Sequence, residues 1–174
     1  NTRELIKKYT PGPLTLVVKR KPVIPAIAVS GGVAQAGVEE RLLARAKSLL
    51  EHGRWSDARH EYMRLREAVA TDDESMVQQA EFGLTVCAVH LDDNVAEQRM
   101  LDFLSRYPGS VHSADINFLL ALHYCEQERF AEAKAALQKV PYKSLTAANR
   151  EKYDMRMGYA EFVLGNHDVA YQHF

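Results

Sequence analysis

Seven histidines, two cysteines and 23 acidic residues are the side chains of this 174-residue chain that could do chemistry, and their spacing decides which kind. A zinc site needs donors spaced to share a face, as in His-Glu-x-x-His or Cys-x-x-Cys. Neither pattern occurs. His52 and His60 fall in different helices across a turn, while His123 and Cys125, two apart on a helix, point to different faces. Glu39 and Glu40 are neighbours on a solvated face, and Asp72-Asp73-Glu74 has the place of a helix cap, where carboxylates meet the positive end of the helix dipole. There is no Gly-x-Ser-x-Gly elbow, Walker loop or dinucleotide fingerprint. Cys87 and Cys125 each lie inside an apolar helical pattern and read as small buried hydrophobes. The expectation is a protein that is not an enzyme, with no metal and no cofactor.

The elements that carry these residues are helices from Val38 onward. Leu42, Leu43, Ala46, Leu49 and Leu50 have the spacing of one buried helix face. His52-Gly53 ends that helix, Ser56 or Asp57 offers an oxygen to start the next, and the second runs to about Ala70. Asp72 and Asp73 cap a third helix to about Leu91. A fourth follows Asp92-Asp93-Asn94 and stops at Tyr107-Pro108-Gly109. Ser113 to Glu128, Phe130 to Val140, Thr146 to Leu164 and the stretch from His167 complete eight. One phrase recurs at the turns: Gly53-Arg54-Trp55-Ser56-Asp57-Ala58, Glu128-Arg129-Phe130-Ala131-Glu132-Ala133, and Gly165-Asn166-His167-Asp168-Val169-Ala170. With Val95 as the second hinge, the hinge residues Trp55, Val95, Phe130 and His167 are separated by 40, 35 and 37 residues. A word repeated at such intervals means stacked helical hairpins. Small residues come three after the hinge (Ala58, Ala133, Ala170) and, apart from Val86, nine before it (Ala46, Ala121, Gly158). The second unit departs, with Gln98 and Asp102 where a small and a large apolar residue belong.

On these residues, 38–174 resemble the tetratricopeptide repeat family, whose helix pairs follow a small–turn–aromatic–Ala–aromatic pattern at a basic period of 34. The longer period and the junction Arg106-Tyr107-Pro108-Gly109-Ser110 are similar to exported bacterial tetratricopeptide proteins of cell-envelope assembly. The resemblance implies an all-α solenoid of about four hairpins whose first helices line a groove for a protein or peptide. Matching the family's inward positions gives Lys47, Cys87, His90, Asp115, Phe118, Leu122, Tyr159 and Phe162 as the partner-binding residues. Phe118, Tyr159 and Phe162 would be apolar anchors, with Lys47 and Asp115 as polar selectors.

Residues 1–37 follow other rules. They hold four of the six prolines and six basic residues against Glu4 alone, while 38–174 hold 16 basic and 22 acidic residues. An acidic body argues against phosphate-backbone binding, so no nucleic-acid partner is expected for the repeats. Leu14 to Val18 reads as a strand after Pro13. Lys7-Lys8-Tyr9-Thr10-Pro11-Gly12-Pro13-Leu14-Thr15 looks like the Pro-Gly-Pro-x-Thr segment of the threonylcarbamoyl-AMP synthase (YrdC-like) family, which serves tRNA modification. The Lys-x-Arg and Ser-x-Asn motifs of that family are absent, so no synthase activity is expected. Lys19-Arg20-Lys21, the apolar run from Val23 to Val29 and Ala34-Gln35-Ala36 resemble a signal peptide, which would place the repeats in a bacterial periplasm or export path. A folded linker or strand pair in a cytoplasmic protein is the other reading of that segment. No stretch of 18 apolar residues exists, so no transmembrane helix is expected. The start at Asn1 and the end at Phe174, midway through an amphipathic pattern, read as a fragment. Three roles stay open at this level: a protein-interaction scaffold, a synthase fragment with a helical extension, and a structural spacer. The oligomeric state is not encoded in any of these features.

Overall fold

The computed structural model describes residues 37–69 and 73–174. The Leu14–Val18 strand, the synthase-like and signal-like segments and the cap at Asp72 lie outside these residues. Among the described residues the chain forms eight α-helices and no strand: α1 (Val38–Glu51), α2 (Trp55–Ala68), α3 (Glu74–His90), α4 (Ala96–Arg106), α5 (Ser113–Glu126), α6 (Phe130–Leu137), α7 (Ala147–Val163) and α8 (His167–Ala170). Each helix packs on the next. The first helices of neighbouring pairs also meet, α1 on α3 and α5 on α7. This is an all-α, solenoid-like stack of four hairpins, as the helical periodicity predicts.

Each hairpin turns in the same way. The helix ends on a left-handed residue, Gly53 (φ 71°), Asp92 (φ 52°), Glu128 (φ 61°) and Gly165 (φ 85°). The next backbone N–H reaches back five residues: Arg54 to Leu49, Asp93 to Ala88, Arg129 to Tyr124 and Asn166 to Glu161, at 2.9–3.0 Å. That bond and the left-handed residue together close a helix C-terminus and satisfy its last carbonyls. The following helix then opens on the carbonyl of the same residue. Ala58, Ala133 and Ala170 donate their N–H to Arg54, Arg129 and Asn166, four positions back. Neither Ser56 nor Asp57 caps α2, which has no side-chain cap. Asp57 binds Arg54 instead, at 2.7 Å. Asp73 does cap α3, accepting from the Met76 N–H, and Thr146 caps α7 through Asn149.

The second hairpin corrects the sequence register. There Ala96 donates to Asp93, three positions back rather than four. A first turn of that tighter kind consumes one residue fewer. The small position is therefore Ala96, not Gln98, and the large one is Met100, not Asp102. Ala58, Ala96, Ala133 and Ala170 are each at most 3% exposed, and follow one another at 38, 37 and 37 residues. Gln98 and Asp102 lie in solvent and bond to each other. The second unit obeys the repeat once its turn is counted correctly.

Two packed cores share α3. One joins α1, α2 and α3 through Leu43, Tyr62, Leu65, Val77, Leu84 and Cys87. The larger runs from Val86 through α4, α5 and α6 to Tyr153 and Met157 of α7. A short 3₁₀ turn (Tyr142–Ser144), not foreseen from sequence, follows Pro141 and sets Tyr142 edge-on to Tyr153.

Candidate functional site

Counting back from the left-handed residue of each turn places the predicted groove residues on a common scale. Positions ten, six and three before it are Leu43, Lys47 and Leu50 on α1, then Phe82, Val86 and Val89 on α3. They recur as Phe118, Leu122 and Cys125 on α5, and as Met155, Tyr159 and Phe162 on α7. These positions share one helix face, being separated by four and three residues. In the first three hairpins the apolar members of that face pack into the cores, while Lys47 stays exposed. Leu43 belongs to the core shared with α3, Val86 lies in the core built with α5, and Phe82 and Val89 pack against it. Phe118, Leu122 and Cys125 lie in the core that contains Tyr153 and Met157.

Three of the predicted groove residues are thereby corrected. Phe118 is 1% exposed, Leu122 6% and Cys87 0%. The sequence assigns them to a partner because a groove position and a stacking position carry the same apolar signature. Only the closeness of the next hairpin separates the two. Burial also pushes the thiols up, Cys87 to about 12 and Cys125 to about 11, so neither is a poised nucleophile.

The other five keep some contact with solvent. Lys47 is exposed and donates to Gln79 Oε1 at 2.7 Å, joining the first two hairpins along their first helices. Asp115 is half-buried, its carboxylate 3.8 Å from His112 Nδ1. His112 in turn stacks on Phe82 with ring centres 3.9 Å apart. Tyr159 meets Phe130 edge-on at 5.3 Å, and Phe162 is 53% exposed. His90 serves the packing of the first two hairpins, its ring lying parallel to Trp55 at 3.8 Å, and burial lowers its pKa.

Thirteen residues before the left-handed residue stand Glu40, Gln79, Asp115 and Lys152, one from each hairpin, all polar and all in contact with solvent. This row had no signal in the sequence beyond polarity, because its alignment depends on the corrected second turn. A separate cleft of about 320 Å³ opens between α3 and α4. Its lining includes Glu81, Thr85 and Phe103, with Arg99 and Arg106 seven residues apart along α4. None of the predicted groove residues lines it.

Among the described residues no three His, Cys, Asp or Glu side chains gather as a metal site. None of their helices is long and apolar enough to cross a membrane. No protein-family model matches the chain, and no curated protein matches it.

Proposed function

We propose that the chain is a non-enzymatic scaffold of the tetratricopeptide type that holds a protein or peptide along the first helices of its hairpins. The observation that supports this is the four-fold register. One small residue per hairpin is buried at a nearly constant interval, and this repeats a row of polar side chains from Glu40 to Lys152 along the stack. Stacked hairpins of this kind make extended surfaces out of residues far apart in sequence, which suits macromolecular ligands better than small ones. Lys47, Gln79 and Asp115 supply charge and hydrogen bonds for choosing a partner, and Tyr159 and Phe162 supply apolar contact.

The test is affinity capture from the source organism with the intact chain and with a Lys47→Glu/Asp115→Lys variant. Lys47 is exposed, while Asp115 stands half-buried in the first turn of α5, where a carboxylate suits the helix dipole, so the variant should lose about 1 kcal/mol and stay folded. A specific protein recovered by the parent and depleted in the variant supports the scaffold reading. Recovery of no specific protein removes it.

A further inference from the structure

We propose that the cleft between α3 and α4 binds an acidic segment of a partner protein in extended form, with one carboxylate on Arg99 and another on Arg106. The site is separate from the first-helix surface of the scaffold reading and goes beyond it. The cleft holds about 320 Å³ and is lined from Val95 to Tyr107, so it runs the whole length of α4. An elongated ligand fills such a trough better than a compact one. The charges along it are unequally occupied. Glu81 on the α3 wall is held by Arg66 at 3.0 Å, and Asp102 accepts from Gln98 at 2.8 Å. Elsewhere in the chain Arg45, Arg54, Arg59, Arg64, Arg66 and Arg129 each have a carboxylate within 3.6 Å. Arg99 and Arg106, both exposed, pair with none among the described residues. The acids of the cleft are engaged, and its two guanidinium groups are open to a ligand.

The guanidinium fork takes a carboxylate through two parallel N–H donors. Seven residues of helix set the two arginines about 10.5 Å apart along α4. In an extended peptide every second side chain points the same way, about 6.8 Å from the last. Two glutamates four residues apart therefore lie about 13.5 Å apart, and the long side chains of arginine and glutamate take up the difference. The residue midway between the glutamates faces Phe103, which lies between the two arginines and belongs to the apolar core. An apolar side chain fits there, so the matching sequence is Glu-x-Leu-x-Glu. A phosphate chain fits less well. It is charged at every step and would meet Asp102 between the arginines and Glu81 on the other wall.

The probe is the peptide Gly-Ser-Glu-Ser-Leu-Ser-Glu-Ser-Gly, capped at both ends and titrated into the isotope-labelled full chain while its amide chemical shifts are followed. Saturable shifts are expected on residues 81–85 and 95–107. An Arg99→Gln/Arg106→Gln chain alters two exposed side chains and should fold as the parent does. It should bind the peptide at least tenfold more weakly. Asp102→Asn should bind it more tightly, because a negative charge between the two arginines is removed. No saturable shifts, or an affinity that the double variant leaves unchanged, overturns the proposal. So does equal binding of a peptide with glutamine in place of both glutamates. An oligouridylate that saturates the same residues more tightly also overturns it, because a phosphate chain then owns the cleft. The Lys47→Glu/Asp115→Lys chain should bind the peptide as the parent does. If the peptide fails while Lys47- and Asp115-dependent capture persists, the cleft falls and the scaffold reading stands.

Discussion

The ring of Tyr62, on the second helix of the first hairpin, fills the space that a β-carbon at Gly83 would occupy on the first helix of the second. Tyr62 is 2% exposed, so its ring has nowhere to retreat. Two effects oppose each other in Gly83→Ala. Alanine is favoured over glycine inside a helix by about 1 kcal/mol. Forcing a methyl into a packed ring costs about 1–3 kcal/mol. The clash is with ring atoms of a buried side chain, so the cost wins. Denaturant melts should show a net loss of stability, and adding Tyr62→Leu should recover part of it, because the two residues share one space.

The corrected register of the second hairpin gives a paired comparison. Ala96→Leu places three extra carbons where 3% of the residue is exposed, and should cost about 1–3 kcal/mol. Gln98→Leu changes an exposed position and should stay within about 0.5 kcal/mol. If Gln98 were the small position the order would invert. Urea midpoints of the two variants decide.

Most of the helices were legible because their apolar faces and the Gly, Pro and Asp punctuation point the same way. The helices at Phe130 and His167 begin where the repeated phrase puts them. The second hinge was not legible. Val95 looks like the hinge because it is the apolar residue after an acidic turn, yet the turn closes at Asp92–Asp93 and then tightens. Asp at a left-handed position is allowed but gives a weaker signal than Gly. Phe118 and Leu122 were misassigned for a different reason. Their helical positions are right, and whether such positions face a groove or a neighbour depends on packing between hairpins that no single helix pattern contains.

The left-handed turn residues differ in cost. Gly53 takes φ 71° freely, whereas Glu128 holds φ 61° against its own β-carbon. A non-glycine residue there pays about 1–2 kcal/mol. Glu128→Gly should therefore raise stability, by less than that penalty because glycine also loosens the unfolded chain. Gly53→Ala should lower it by about 1 kcal/mol. Thermal melts of the pair should move in opposite directions.

Stability should fall on acidification through His90. Burial against Trp55 lowers its pKa from the ordinary 6.5. The unfolded chain then binds the proton more readily than the folded one. The contribution is complete above about 6.5, and is lost as pH falls through the lower folded value. A His90→Gln variant should show a smaller drop in urea midpoint between neutral and mildly acidic pH than the parent. Equal drops in the two proteins would mean that the Trp55 contact does not depend on the proton.

The scaffold reading depends most on Lys47 and Asp115, the charged selectors on the first helices, and the affinity of the captured protein for the purified chain measures their part directly. By titration calorimetry, Lys47→Glu/Asp115→Lys should bind at least tenfold more weakly, a loss of about 1.4 kcal/mol or more, in a chain that still unfolds cooperatively. An affinity equal to the parent's, in a folded variant, would contradict partner binding through Lys47 and Asp115.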